Sequence, residues 1–272
     1  MRKFRKISFF QILALVFVIS SCEEVIHLDL KNSAPRTVIE ATINATSGEC
    51  VVLVTKSIGF YEDGKLSKIA GAMVELSTGT GGLKLLQEVS PGVYSAGNLD
   101  VKSGEAFRLT VIVSADERYT AETTAPVSIQ LDSLKVVRGF GDPRPTSPPV
   151  YLINPKWKDP TGTGNFYRFK VTLNNKPQTG SFSITSDEQF DGMEVDMPLY
   201  RYAFVLGDTV RLEFQSIDSV SYSYFSQVND MARPSFVSAT PYNPIGNFDN
   251  GALGYFGIFH SEVRDLIISS GR

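Results

Sequence analysis

From about residue 37 onward, apolar and polar side chains alternate along the chain with a period of two. Ala72, Val74 and Leu76 alternate with Met73, Glu75 and Ser77, and Phe107, Leu109, Val111 and Val113 alternate with Ala106, Arg108, Thr110 and Ile112. Tyr119, Ala121 and Thr123 repeat the pattern against Arg118, Thr120, Glu122 and Thr124. Each run puts one face on a core and the other toward water, as antiparallel strands require. Turn signals separate the runs at Glu62-Asp63-Gly64, Thr78-Gly79-Thr80-Gly81-Gly82, Pro91-Gly92 and Lys102-Ser103-Gly104. Strands so closely spaced, with no helical pattern between them, predict an all-β chain of immunoglobulin-like or related β-sandwich topology.

The alternation breaks after Thr124, where Ala125-Pro126 ends a strand. One more strand-like run follows over 129–137. Residues 139–149 then carry Pro143, Pro145, Pro148 and Pro149, which favour extended chain and exclude a central strand. Beyond this loop Asn165, Tyr167, Phe169, Val171 and Leu173 face one way, opposite Phe166, Arg168, Lys170 and Thr172. Tyr200, Tyr202 and Phe204 share a face, as do Val210, Leu212 and Phe214. One short helix is expected from the N-cap residues Asp218-Ser219 to the Arg233-Pro234 stop, with Val220, Tyr224, Val228 and Met231 at helical spacing. Residues 253–268 read as one or two closing strands. The expectation is therefore two β-sandwich domains in tandem, 37–125 and 126–272, with the proline-rich loop 139–149 inside the second.

Composition narrows the chemistry. With two Cys and two His in 272 residues, a disulfide scaffold and a multi-cysteine zinc site are excluded. A net charge of −3 lacks the basic face of a nucleic-acid protein. No cofactor motif is present, and none is expected.

The N-terminus reads as an address. Arg2, Lys3, Arg5 and Lys6 form a cationic start, followed by an apolar run over 7–19. That run is too short for a hydrocarbon core about 30 Å thick, which needs about 20 residues, but it fits a secretory signal. Ile19-Ser20-Ser21-Cys22 follows and resembles a bacterial lipobox, in which the peptidase cuts before the cysteine. The Cys22 thiol then takes a diacylglycerol and the new amino group an acyl chain such as palmitate, an effectively permanent membrane anchor. On this reading residues 1–21 are the signal peptide and 22–36 a lipidated tether. The mature chain has 251 residues, and loss of four cations takes its charge to −7. With Cys22 lipidated, Cys50 has no partner and reads as a buried, inert thiol.

An ordered set of short motifs runs through the mature chain: Cys22-Glu23-Glu24-Val25-Ile26, Leu28-Asp29-Leu30 and Val38-Ile39-Glu40, then Pro91-Gly92-Val93-Tyr94 and Asn165-Phe166-Tyr167-Arg168. Phe190-Asp191-Gly192, Gly207-Asp208 and Leu253-Gly254-Tyr255-Phe256-Gly257 complete it. This set resembles an uncharacterised lipoprotein family of Bacteroidota, domain of unknown function 4249. The departure is Ala41, where the family's first strand is expected to carry Gly. The resemblance implies an outer-membrane anchor, frequently beside a TonB-dependent transporter, and supplies no catalytic residues. Glu23-Glu24 also looks like a surface-export signal, although a merely solvated acidic start reads as well.

No catalytic residue is assigned. A Ser-His-Asp arrangement needs a positioned histidine, but His27 lies in the tether and His260 beside the aromatic run 255–259. The acidic segment Asp187, Glu188, Asp191, Glu194 and Asp196 is the densest carboxylate cluster; it reads first as a solvated loop. Asp187, Asp191, Glu194 and Asp196 form a weak Ca²⁺ candidate without the spacing of a Ca²⁺ loop. Trp157, with Phe140, Tyr151 and Phe166, is a candidate ligand-stacking platform, with core packing the simpler role. Asp132-Ser133, Asp208-Thr209 and Asp218-Ser219 each open an Asp-Ser/Thr-aliphatic sequon, making Ser133, Thr209 and Ser219 candidate O-glycosylation sites. The resulting expectation is a non-catalytic, outer-membrane lipoprotein that captures a small molecule or glycan or braces a transporter. The alternatives are a carboxylate-dependent hydrolase of surface glycans and a purely structural envelope protein.

Overall fold

The alternation of Val38, Glu40 and Thr42 with buried Thr37, Ile39, Ala41 and Ile43 builds the first strand of a sheet that runs through the whole fold. The computed structural model describes residues 34–58, 66–79, 82–140, 149–180, 182–232 and 242–269. The expected signal peptide, Cys22, His27, most of the expected tether and most of the proline-rich loop lie outside these residues. The first half contributes β1 (Thr37–Asn44), β2 (Glu49–Lys56), β3 (Ser67–Lys68), β4 (Met73–Thr78), β5 (Leu83–Leu85), β6 (Gln87–Ser90), β7 (Val93–Ala96), β8 (Ala106–Ile112) and β9 (Arg118–Thr124). The second half contributes β10 (Leu131–Arg138), β11 (Tyr151–Lys158), β12 (Phe166–Leu173), β13 (Lys176–Pro177), β14 (Ser183–Ser186), β15 (Glu194–Asp196) and β16 (Thr209–Ile217). A helix, α1 (Ser219–Ala232), and the 15-residue β17 (Leu253–Ile267) end it.

Three sheets form two sandwiches. The ten-stranded sheet has the path β13-β12-β16-β17-β1-β2-β7-β6, with β14 on β12 and β3 on β2. Sheet β5-β4-β8-β9 packs on its first-half end, joining Ile39, Ile43, Val52 and Tyr94 to Leu76, Phe107, Leu109 and Val111 in one core. Sheet β10-β11-β15 packs on its second-half end, with Ile153 and Trp157 against Tyr167, Phe169, Leu212 and Phe214. The mainly β sandwich fold is the expected one, with one short helix among the described residues. The tandem arrangement has a feature the alternation does not specify: one sheet belongs to both sandwiches. Strand β17 makes the join, running parallel to β1 over Leu253–Phe259 and antiparallel to β16 over Phe259–Ile267. Ala125 belongs to the first core and Ile129 to the second, and Phe256 and Ile258 of β17 belong to the first.

Two glycines explain how tightly β17 is held. At Gly254 φ is +93°, and a Cβ would stand 2.0 Å from the Ile39 carbonyl oxygen of β1. At Gly257 a Cβ would meet Ser221 Oγ of α1 at 2.0 Å, so the helix lies directly on the strand. Helix α1 starts as expected, with the Asp218 carboxylate accepting from the Ser221 amide at 2.6 Å. Its buried face is Ser221 and Phe225, one position on from the expected Val220, Tyr224, Val228 and Met231 stripe, and Met231 is exposed. The segment of Tyr200, Tyr202 and Phe204 is a turn with a single bridge from Phe204 to Tyr151, which leaves Tyr200 outside while Tyr202 and Phe204 enter the core.

Candidate functional site

The acidic segment folds back on the end of β11. There the carboxylates of Asp159, Asp187 and Asp191 lie within 4.8 Å of one another. Glu194 and Asp196 leave this group because β15 pairs with β11: Glu194 Oε2 meets Lys156 Nζ at 2.9 Å, and Asp196 accepts from the Asn154 amide. The Ca²⁺ candidate therefore changes membership, with Asp159 replacing Glu194 and Asp196. Asp159 and Asp187 are buried, and both are well supplied with donors. Asp159 accepts from the Tyr167 hydroxyl and from the Gly192 amide at 2.9 Å. Asp187 accepts from the Gly164 and Asn165 amides at 3.1 and 3.0 Å, and Asp191 from the Gly162 amide at 2.7 Å. These three residues have the oxygen chemistry to hold a hard cation. Their hydrogen bonds also make them a staple between the loops 160–165 and 187–193. Lys156 holds the Glu194 carboxyl below the usual carboxylate range, the opposite of what a general acid needs.

Trp157 is wholly buried, with the rings of Tyr167, Phe169, Phe190 and Phe214 at 5.0–6.0 Å from its own. It presents no face to a surface ligand, in keeping with the simpler core role, and the candidate platform does not assemble: Phe140 is exposed and Phe166 stacks on Tyr222. Cys50 is buried between Ile43 and Ala96, and burial together with Glu49 pushes its thiol up to about 12. His260 pairs with Ser216 across the sheet; burial lowers its pKa, and its Nε2 has no partner among the described residues. Of the sequon hydroxyls, Thr209 and Ser219 are exposed, whereas Ser133 is half-buried in β10. Thr209 Oγ1 donates to Asn174 Oδ1 at 3.1 Å.

A different group gathers on the outer face of β12. Arg168 belongs to the face expected to meet water, yet α1 and the segment before β14 cover it. Its guanidinium carbon lies 4.8 Å from the Phe182 ring centroid and 4.3 Å from that of Phe225. Those rings stack on each other at 4.4 Å. Asn229 of α1 fixes the Phe182 backbone in both directions, accepting from its amide and donating to its carbonyl at 2.8 Å each. Beside this cluster runs a groove of about 460 Å³ bordered by Arg168, Lys170, Phe182, Ser183, Tyr202 and Glu213. Lys170 pairs with Glu213 at 2.8 Å, and Arg211, also on the groove, pairs with Asp265 through two bonds of 2.7 and 2.9 Å. The Arg168 guanidinium forms no ion pair or hydrogen bond with any described residue, and burial lowers its pKa. The motif Asn165-Phe166-Tyr167-Arg168 singles out Arg168, but the alternation carries no signal for the cluster, because its members come from β12, the approach to β14 and α1.

The model of the family described as "Domain of unknown function (DUF4249)" matches residues 23–265. No curated protein matches the chain. Among solved structures, the two fibronectin type-III domain segment from chicken tenascin aligns over 86% of this chain and 100% of its own. That alignment has 9% identity and a TM-score of 0.25.

Proposed function

The chain belongs to the DUF4249 family, and from that premise we propose that it is an outer-membrane lipoprotein acting as a non-catalytic binding or accessory module. In this reading Cys22 carries the lipid, and the sandwiches meet a ligand or a TonB-dependent transporter. The carrying observation is one of register: the family match begins at Glu23, the residue after the lipobox Ile19-Ser20-Ser21-Cys22. A further support is that the acids best placed for hydrolysis are engaged elsewhere, Glu194 with Lys156 and Asp191 with the Gly162 amide. No helix among the described residues is long and apolar enough to cross a membrane.

Affinity capture from native membranes tests the module's role. Recovery of an outer-membrane transporter with the full-length protein is the expected result. Glycan turnover by the purified protein, abolished by Asp191→Ala or Glu194→Ala, would replace this reading with a hydrolase.

A further inference from the structure

We propose that the groove over β12 binds a ring-bearing monocarboxylate, with Arg168 as its anchor. The inference rests on the binding-module reading and names the ligand class. Arg168 offers five N–H donors in a planar fork, the geometry that receives a carboxylate through two parallel bonds. All other charges bordering the groove are matched: Lys170 by Glu213, and Arg211 by Asp265. The local surplus is one positive charge, which suits a single carboxylate and disfavours a phosphate dianion placed beside Glu213. The fork is also held in advance of binding. Its carbon rests against Phe182 and Phe225, and Asn229 clamps Phe182 in place, so little ordering remains to oppose association.

The walls indicate what carries the carboxylate. Phe182, Ser183 and the largely buried Tyr202 line the groove of about 460 Å³, giving it aromatic and hydroxyl-bearing walls. Small-molecule sites commonly occupy about 300–1,000 Å³ and combine apolar walls with a few polar groups. A uronic-acid sugar and the aromatic C-terminus of a peptide share the required chemistry, a ring bearing one carboxylate.

The test is calorimetric titration of the detergent-solubilised mature protein with glucuronate and with N-acetyl-phenylalanine. Glucose and N-acetyl-phenylalanine amide serve as uncharged twins, and inorganic phosphate as the dianion. At least one acid should bind about tenfold or more tightly than its twin and than phosphate, and the acid that does so identifies the source. Arg168→Lys, which keeps the charge but loses the fork, should weaken that binding about tenfold. If this variant fails to fold, the Arg168 Nε–H resonance of the wild-type protein takes its place and should shift on saturation with the bound acid. The proposal is overturned if neither acid outbinds its twin, if phosphate binds more tightly, or if folded Arg168→Lys binds as well as wild type. An Arg168 resonance unmoved by the bound acid overturns it equally. Because no membrane partner enters the titration, its failure leaves the lipid-anchor reading standing, and failure of the anchor leaves the titration intact.

Discussion

The Asp218 carboxylate accepts a hydrogen bond from the Thr123 hydroxyl at 2.7 Å, joining the last strand of the first core to the start of α1 across 95 residues of sequence. The same carboxylate accepts from the amides of Ser221 and Ile258, so one buried side chain ties β9, α1 and β17 together. Loss of the cap costs about 1 kcal/mol, and each buried donor left without an acceptor adds about 1–3 kcal/mol. Asp218→Ala is therefore expected to destabilise the fold by at least about 3 kcal/mol, and Thr123→Val by about 1 kcal/mol. Urea denaturation of the two variants checks both values, and their order matters more than either magnitude.

Gly254 supplies a sharper steric test. A side chain there must adopt a φ of +93° and displace the Ile39 carbonyl of β1. Gly254→Ala should cost about 2–5 kcal/mol from strained backbone and overpacking together. Gly71, at φ +75° with nothing within 4 Å of where a Cβ would stand, isolates the backbone part. Gly71→Ala should cost about 1 kcal/mol. Equal losses for the two variants would place the strain in the backbone alone rather than in the β1–β17 contact.

Trp157 is the protein's single tryptophan, which makes the second core directly visible. Its emission should be blue-shifted in the native protein, resist acrylamide quenching and move red on unfolding. Trp157→Ala should cost about 3–5 kcal/mol. Efficient quenching in the native state would mean that the indole reaches solvent, contrary to its burial among four aromatic rings.

His260 gives the fold a defined pH dependence. Burial holds the folded imidazole below its ordinary pKa, so in acid the unfolded chain takes up a proton before the folded one does. The stabilisation is fully present above about pH 6.5, the unfolded value, and is lost as the pH falls toward the folded pKa. In His260→Asn this slope should flatten, as measured by denaturation at steps between about pH 5 and 7. Parallel curves for the variant and wild type would contradict it.

Local pattern makes much of the fold readable. The period-two runs at Phe107, Leu109 and Val111 and at Tyr167, Phe169 and Val171 bury those side chains as expected. The N-cap at Asp218 marks the helix start because capping is decided within four residues. The parallel pairing of β1 with β17 is not readable, since no local pattern says which strand will pair across more than 200 residues. Site chemistry is hidden for the same reason. Asp159 joins Asp187 and Asp191 from just past the end of β11, and the alternation turns Arg168 toward water because its cover of Phe182 and Phe225 comes from other elements.

In the proposed function Cys22 fixes this fold to the outer membrane, and cell fractionation of wild type and Cys22→Ala is the decisive measurement. The wild-type protein should sediment with the outer membrane, and Cys22→Ala, deprived of its thioether-linked lipid, should move to the soluble fraction. A Cys22→Ala protein that stays with the outer membrane would contradict it.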